Sequence, residues 1–108
     1  MSLCSGLTYG GKKAVLLCSF KGLYNSVDSL LGTAVRTQAS FLILFSESGG
    51  QAKRMANDLE EGVYTVNILK EIKVPYYEVS SNAEVPLIKK AWEQTKTSMK
   101  PIAVVLRW

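Results

Sequence analysis

The sequence contains no histidine, and its 108 residues include only two cysteines, Cys4 and Cys18. Without histidine, the chain by itself has no imidazole for acid–base catalysis, no histidine ligand for zinc and no Ser-His-Asp triad. The two cysteines form no CxxC pair and are too few for a disulfide framework. Cys18 ends an apolar run, where cysteine usually behaves as a small buried hydrophobe. We therefore interpret both cysteines as reduced, structural residues of an intracellular, cytoplasmic protein.

Long runs of one residue class are also missing. The longest apolar runs, residues 41–45 and 102–106, are far too short to span a bilayer, and no signal-peptide pattern is present. Thirteen Lys and Arg side chains against nine Asp and Glu give a net charge of +4. The basic residues nevertheless stand singly or in pairs, beside no nucleic-acid-binding motif. We therefore predict neither a nucleic-acid partner nor a membrane partner.

The residues that are present suit a single folded domain, since 47% of them are apolar. Four short apolar or β-rich runs are predicted to be strands. Three of them do not alternate polar with apolar residues, which is typical of strands covered on both faces of a parallel sheet. The four runs are residues 14–18, 41–45, 76–79 and 102–106.

Helical patterns fall between the predicted strands. Apolar residues recur at helical spacing over residues 23–35, and a short helix is predicted over 52–59. Gly62 is expected to break the chain there, before a further helix over 63–72. The last helix is predicted to begin near Asn82, a suitable N-cap residue, and to end before the last strand.

The element order predicts an α/β fold, a three-layer α/β/α sandwich with a mainly parallel sheet. Residues 3–9 are predicted to end a helix that Gly10 and Gly11 close. Because open α/β domains usually begin with a strand, we interpret residues 1–108 as a single, partial domain that begins within an αβ unit.

Ligands of open α/β sheets gather at the carboxyl ends of the strands, and three predicted loops lie there. In the first loop, Gly22 allows a close backbone approach and Lys21 adds positive charge, so that a phosphate or carboxylate could bind. An ordinary βα turn explains the same residues. In the second loop, Glu47 could act as an acid, a base or a hydrogen-bond anchor for a ligand. The alternative is a solvated glutamate without such a role. The third loop, residues 80–82, is expected only to cap the last helix.

Acidic residues also cluster near Gly62, but their spacing matches no calcium loop. We interpret them as a solvated helix end and predict no metal site. They are Asp58, Glu60 and Glu61.

The order of loops resembles that of a known family. Tyr9-Gly10-Gly11-Lys12-Lys13 matches a Gly-Lys-Lys/Arg-Pro step into a strand, and Val74-Pro75-Tyr76 matches an Ile-Pro-Tyr step. Gly22-Leu23-x-Asn25 keeps the core of a family loop that reads Gln-Asn-Ser-Gly-Leu-Gly-Asn. With these motifs, residues 4–108 resemble the pyrimidine-binding domain of thiamine diphosphate enzymes, of the phosphonopyruvate and sulfopyruvate decarboxylase type.

The resemblance implies an active site between this domain and a separate diphosphate-binding domain, usually across a dimer interface. The partner domain would hold most of the thiamine diphosphate and its Mg²⁺. This chain would contact the cofactor's aminopyrimidine ring and line the pocket for a small 2-oxo acid. The implied cofactor-binding residues are Ser19, Phe20, Lys21, Gly22 and Asn25, and the implied substrate-loop residues are Ser46, Glu47, Ser48 and Gly49.

One departure from the family pattern concerns catalysis. The family's catalytic glutamate lies just before the helix that residues 3–9 would end, whereas this sequence has no glutamate before Glu47. We therefore assign no catalytic residue to this chain and expect it to be inactive alone. Two other hypotheses stay open: a stand-alone flavodoxin-like module that binds an anion or nucleotide, and a degenerate subunit that only assembles with a catalytic one.

Overall fold

The computed structural model describes the backbone of residues 1–46 and 56–107 and the side chains of residues 1–46 and 64–107. Within these residues the core is a four-stranded sheet in the order β1-β2-β4-β3, and every neighbouring pair is parallel. All four strands lie within one residue of their predicted bounds. They are β1 (Val15–Ser19), β2 (Leu42–Ser46), β3 (Tyr76–Val79) and β4 (Ile102–Leu106).

Helices cover both faces of the sheet, which confirms the predicted three-layer α/β/α architecture. Four α-helices are present in the described residues, together with a π-helix (Ser29–Val35) between β1 and β2 and a 3₁₀ turn (Asn82–Glu84) after β3. No described helix is long and apolar enough to cross a membrane. The α-helices are α1 (Ser2–Tyr9), α2 (Phe20–Tyr24), α3 (Ala56–Glu71) and α4 (Pro86–Gln94).

Alternate residues of the central strands point to opposite faces, as the period of a strand requires. In β4, Ala103 and Val105 pack with the buried residues of α1, α2, the π-helix and α3. Ile102 and Val104 pack with α4 on the second face. Because both faces are buried, the strand reads as a continuous apolar run rather than an alternating one.

The position of α4 follows from the strand order. From β1 to β2 to β3 the chain moves across the sheet in one direction, and from β3 to β4 it returns. Since β-α-β connections are right-handed, a return must place its helix on the opposite face. Accordingly, α4 is the one α-helix of the described residues that packs on the second face.

Two glycines close α1, as predicted. The Gly11 N–H donates to the Thr8 carbonyl at 3.0 Å, and the Lys12 N–H donates to the Leu7 carbonyl at 2.8 Å. Gly11 has a φ of 73°, the left-handed conformation that glycine adopts without a Cβ clash. These two bonds satisfy carbonyls that the helix end would otherwise leave unpaired.

The region after β1 corrects one prediction. A single helix was expected after a loop, but α2 begins at Phe20, directly after the strand, and the π-helix follows separately. The turn between them contains Asn25, the C-cap of α2, and Ser26, whose carbonyl accepts a hydrogen bond from the Leu30 N–H at 2.8 Å. The apolar spacing over residues 23–35 is continuous, so it could not reveal this division.

The predicted break at Gly62 is wrong, because α3 runs through it without interruption. A glycine within a helix costs about 1 kcal/mol relative to alanine. Burial of Thr65, Val66 and Leu69 anchors the following turns and outweighs that local preference. Asn82 is likewise not the N-cap of α4: it lies in the 3₁₀ turn, and Val85 takes the N-cap position.

Candidate functional site

The carboxyl ends of the four strands meet at one edge of the sheet. Ser19 of β1 pairs in register with Ser46 of β2, and Ser46 pairs with Leu106 of β4. Leu106 in turn pairs with Val79 of β3. Neighbouring strands lie about 4.8 Å apart, so the structure brings the starts of the first two predicted loops next to each other.

The first predicted loop is the end of a strand followed by a short helix. Ser19 is half-buried at the N-cap position of α2, and its side chain makes no capping hydrogen bond. Lys21 and Asn25 are exposed. They lie one helical turn apart, since the Asn25 N–H donates to the Lys21 carbonyl at 3.2 Å. Residues at this spacing share one side of a helix, so Lys21, near Ser19 at the start of α2, and Asn25, at the opposite end, lie on the same side of it.

Two other residues of this segment pack inward. Phe20 is 1% exposed, and it joins the core between the sheet and the helices. A Cβ on Gly22 would lie 3.1 Å from the Cβ and 3.5 Å from the Sγ of Cys18. Gly22 therefore allows α2 to lie close against β1, and this packing by itself accounts for a glycine here. Burial raises the pKa of the Cys18 thiol, which keeps it a neutral packing group.

The second predicted loop can be followed only at its start. Ser46 is half-buried at the end of β2, beside Ser19. Glu47, Ser48 and Gly49 lie outside the described residues, so their predicted role in a substrate loop stays a prediction.

The third predicted loop holds a local hydrogen-bond cluster. The Glu84 carboxylate accepts hydrogen bonds from the Ser80 N–H at 2.8 Å, the Ser80 hydroxyl at 2.9 Å and the Ser81 hydroxyl at 3.1 Å. These bonds lower the pKa of Glu84, the Ser80 backbone bond contributing most. The Ser81-x-x-Glu84 spacing is the sequence signal that would have indicated this cluster. It fixes the turn before α4 but does not cap that helix, because Val85 takes the N-cap position and no side chain makes a capping hydrogen bond there.

An ion pair that the sequence did not suggest lies at the same edge. The Arg107 Nε is 2.8 Å from a Glu78 carboxylate oxygen, and the Arg107 N–H donates to the Val79 carbonyl at 2.8 Å. The pair joins the end of β3 to the residue after β4. Because the Glu78 carboxylate offsets the Arg107 charge, the pair adds no net charge to the edge that carries Lys21.

The described residues contain no group of three or more His, Cys, Asp or Glu side chains that could hold a metal ion. The acidic residues near Gly62 lie in α3, where the structure describes the backbone alone. The described edge also carries the Glu78 and Glu84 carboxylates, which are engaged by Arg107 and by Ser80 and Ser81. The other groups that it offers a ligand are hydroxyl, amide and cationic groups. Such groups suit hydrogen bonding to a heterocycle and attraction of a small anion.

Comparison with known proteins gives one relative. No protein-family model matches the sequence. The chain is 29% identical over 108 residues to the protein named sulfopyruvate decarboxylase subunit alpha from Methanococcus maripaludis. The match takes in 98% of this chain but 64% of the relative, so the chain spans somewhat under two thirds of that protein's length.

Proposed function

We propose that this chain is the pyrimidine-binding domain, or part of it, of a thiamine-diphosphate-dependent 2-oxo acid decarboxylase of the sulfopyruvate or phosphonopyruvate type. The observation that carries the proposal is the pairing of Ser19 with Ser46. It joins the two predicted loops at one sheet edge, in a chain that is similar along 98% of its length to a sulfopyruvate decarboxylase subunit.

Polar groups at this edge and along α2 suit the proposed cofactor. The Ser19 and Ser46 hydroxyls and the Asn25 amide can donate and accept hydrogen bonds, as the amino group and ring nitrogens of an aminopyrimidine require. Phe20 would contribute through its backbone, since its side chain is buried. Gly22 would act by holding α2 in place. When bound, thiamine diphosphate supplies the electron sink for the carbanion that decarboxylation produces.

Charge at the edge suits the proposed substrate. A 2-oxo acid that also carries a sulfonate or phosphonate has two anionic ends, and Lys21 is an exposed cation at this edge. The predicted substrate loop, Glu47, Ser48 and Gly49, continues from Ser46. In this proposal the chain binds and orients the ring and attracts the substrate, while the diphosphate and Mg²⁺ belong to a partner domain.

Partner dependence is the second part of the proposal. The relative is named as one subunit of its enzyme, and residues 1–46 of this chain contain no glutamate that could serve the cofactor. We therefore propose that the chain is inactive alone and works in an assembly, as a dimer or higher oligomer with a diphosphate-binding domain.

The test compares the isolated chain with its assembly. The tagged chain is purified from the cells that produce it, with and without the proteins that remain bound. Release of CO₂ from sulfopyruvate and phosphonopyruvate is then measured with thiamine diphosphate and Mg²⁺. We expect cofactor-dependent release from the assembly and none from the isolated chain. Lys21→Ala should raise the KM of the assembly, whereas Lys70→Ala, which removes an exposed lysine from α3, should not.

Two results would contradict the proposal. Turnover by the isolated chain would show that it does not need a partner. An assembly without cofactor-dependent decarboxylation, together with saturable phosphate or nucleotide binding by the isolated chain, would favour the flavodoxin-like module instead.

A further inference from the structure

A cavity lies at the amino edge of the sheet, the edge opposite the candidate functional site. It is bounded by the residues that lead into β1 and β2 and by the C-terminal ends of α1 and α4. Its volume is about 220 Å³. Because β1 has five residues, the two edges are about 16 Å apart. We call it the amino-edge cavity, and the lysine and hydroxyl side chains that line it are Thr8, Lys12, Lys13, Ser40, Thr95 and Lys96.

Hydrogen bonds through Ser40 join the walls of the amino-edge cavity. The Ser40 hydroxyl is shared between the Thr95 and Lys100 carbonyls, at 2.9 and 3.0 Å. The Ser40 carbonyl lies 3.4 Å from the Thr8 hydroxyl oxygen. The entry to β2 is thus tied both to the end of α1 and to the segment that follows α4. These bonds form the cavity before any ligand arrives, as is usual for small-molecule sites.

The helix ends at the amino-edge cavity do not need its lysines as partners. Lysines near the C-terminus of a helix can bond to its last carbonyls. In α4, however, the carbonyls of residues 91–94 accept hydrogen bonds from the backbone N–H groups of residues 95–98. In α1, the N–H groups of Gly11 and Lys12 do the same. Satisfying the helix carbonyls therefore does not account for the lysine side chains at this cavity.

Positive charge predominates at the amino-edge cavity. Lys12 and Lys13 reach it from the start of β1 and Lys96 from the end of α4, and no acidic residue is among its described lining residues. Nearby, Glu93 is paired with Lys96. The Lys96 hydrogen bond lowers the pKa of Glu93 most, and the charges of Lys89 and Lys13 lower it further. One carboxylate is thus shared by three lysines and Lys12 adds a fourth cation, so the excess charge attracts an anion.

The hydroxyl groups of the amino-edge cavity suit a ligand that donates hydrogen bonds. The Thr8 hydroxyl donates to the Cys4 carbonyl at 2.9 Å, and the Thr95 hydroxyl donates to the Trp92 carbonyl at 2.7 Å. A hydroxyl group has one proton and two acceptor lone pairs, so these two oxygens and that of Ser40 can still accept. The alcohol groups of a ligand would supply the donors.

We propose that the amino-edge cavity binds a small phosphate monoester of a short polyol, a molecule of the size of glycerol phosphate. A phosphate monoester carries about −1.5 to −2 charges at pH 7, and lysine binds phosphate as a point charge. The cavity has the volume of about seven water molecules. It is smaller than the ~300–1,000 Å³ of pockets for drug-sized ligands, so a nucleotide is too large. This inference is independent of the proposed decarboxylase function, because the cavity lies at the other edge of the sheet.

The experiment measures binding to the intact chain by isothermal titration calorimetry and by the fluorescence of Trp92. The Lys13 Nζ lies 5.9 Å from the ring centroid of Trp92, so an anion that attracts Lys13 changes the surroundings of the indole. Trp108→Phe leaves Trp92 as the only tryptophan and is the background for the fluorescence titration. The probes are glycerol phosphate, propyl phosphate, inorganic phosphate and glycerol.

We expect glycerol phosphate to bind saturably and about tenfold more tightly than propyl phosphate, which lacks alcohol groups. Lys12→Gln should weaken its binding about threefold to tenfold, with the effect shrinking at high salt. Lys96→Gln should weaken it at least as much, because it also leaves Glu93 without its partner. Lys70→Gln and Lys21→Gln are the controls: each removes one exposed cation away from the cavity and should change affinity by no more than about twofold. Thermal unfolding checks that every variant remains folded.

Other outcomes would overturn the proposal. Equal weakening by Lys12→Gln and Lys70→Gln would show attraction by net charge and no defined site. Inorganic phosphate or propyl phosphate that binds as tightly as glycerol phosphate would show that the hydroxyl groups select no polyol. Loss of binding in Lys21→Gln but not in Lys12→Gln would place the anion at the carboxyl edge. The release of CO₂ by the assembly is a separate measurement, so a failure here is distinguishable from a failure of the proposed decarboxylase function.

Discussion

Replacing Gly22 with alanine tests how closely α2 and β1 approach each other. The new Cβ would lie 3.1 Å from the Cys18 Cβ, whereas carbon atoms in favourable contact are about 3.5–4.0 Å apart. The Cys18 Cβ is fixed by the strand backbone and cannot rotate away. The helix must therefore move by a few tenths of an ångström, against a core that includes Phe20 and Leu23.

Two opposing effects decide the size of the change in stability. Gly→Ala in a helix stabilises by about 0.5–1 kcal/mol when the new methyl group meets nothing. Overpacking of a well-packed site costs about 1–3 kcal/mol. For Gly22→Ala the second effect should prevail, and we expect the free energy of unfolding to fall by about 1 kcal/mol.

Urea unfolding followed by circular dichroism measures this change. Gly6→Ala is the matched control, because Gly6 lies in α1 and a Cβ there would meet nothing within 4 Å. The free energy of unfolding of that variant should rise by about 0.5–1 kcal/mol. A double-mutant cycle with Cys18→Gly removes the clashing Cβ, and in that background the effect of Gly22→Ala on the free energy of unfolding should be about 1.5–2 kcal/mol more favourable. Two results would contradict a close approach of α2 to β1. In one, Gly22→Ala stabilises the protein as much as Gly6→Ala does. In the other, Gly22→Ala changes the free energy of unfolding by the same amount with and without the Cys18 side chain.

Three further predictions concern local features. Gly11→Ala should lower the free energy of unfolding by about 1–2 kcal/mol, because Gly11 has a φ of 73°. Gly10→Ala is the control, since Gly10 has a φ of −74°, and it should leave the free energy of unfolding in the same urea titration nearly unchanged. Glu84 has a lowered pKa, so its contribution to stability is present above its unfolded-state pKa and is lost as the pH falls through the folded-state value. Glu84→Gln should remove this loss of stability at low pH, which is measured as faster hydrogen exchange of the Ser80 amide. If the exchange of that amide depends on pH in the same way in the variant, the Glu84 hydrogen bonds are not the cause of the loss. Burial raises the pKa of Cys18, so iodoacetamide should alkylate it more slowly at mildly alkaline pH than a free cysteine, and an equal rate would contradict the packing described for α2.

The strands could be predicted from the sequence because their burial is uniform. Residues 102–106 are apolar without interruption, and Ile102 and Val105, on opposite faces, are both fully buried. The closing glycines of α1 could also be predicted, since their effect depends only on neighbouring backbone groups. Gly62 misled the prediction because tertiary packing along α3 outweighs a local preference.

The candidate site could be predicted in outline only. Strand ends in a parallel sheet meet at one edge, so the adjacency of Ser19 and Ser46 follows once the strands are known. The burial of Phe20 could not be foreseen, because its position looked like a loop. Glu78 and Arg107 pair through strands that are neighbours only because β4 inserts between β2 and β3. Strand order of this kind is set by the packing of the whole domain, and no local pattern specifies it.

The central place of β4 has a consequence for synthesis on the ribosome. This strand pairs with β2 on one side and with β3 on the other, yet it comes last in the sequence among these four strands. Until residues 102–106 emerge, β3 has no neighbouring strand and one edge of β2 is unpaired. The nascent chain must therefore keep β3 and the unpaired edge of β2 from pairing wrongly or aggregating. We expect a chain whose translation is stalled before β4 to be sensitive to protease and to be bound by chaperones. A chain released after β4 should become resistant to protease in a single step.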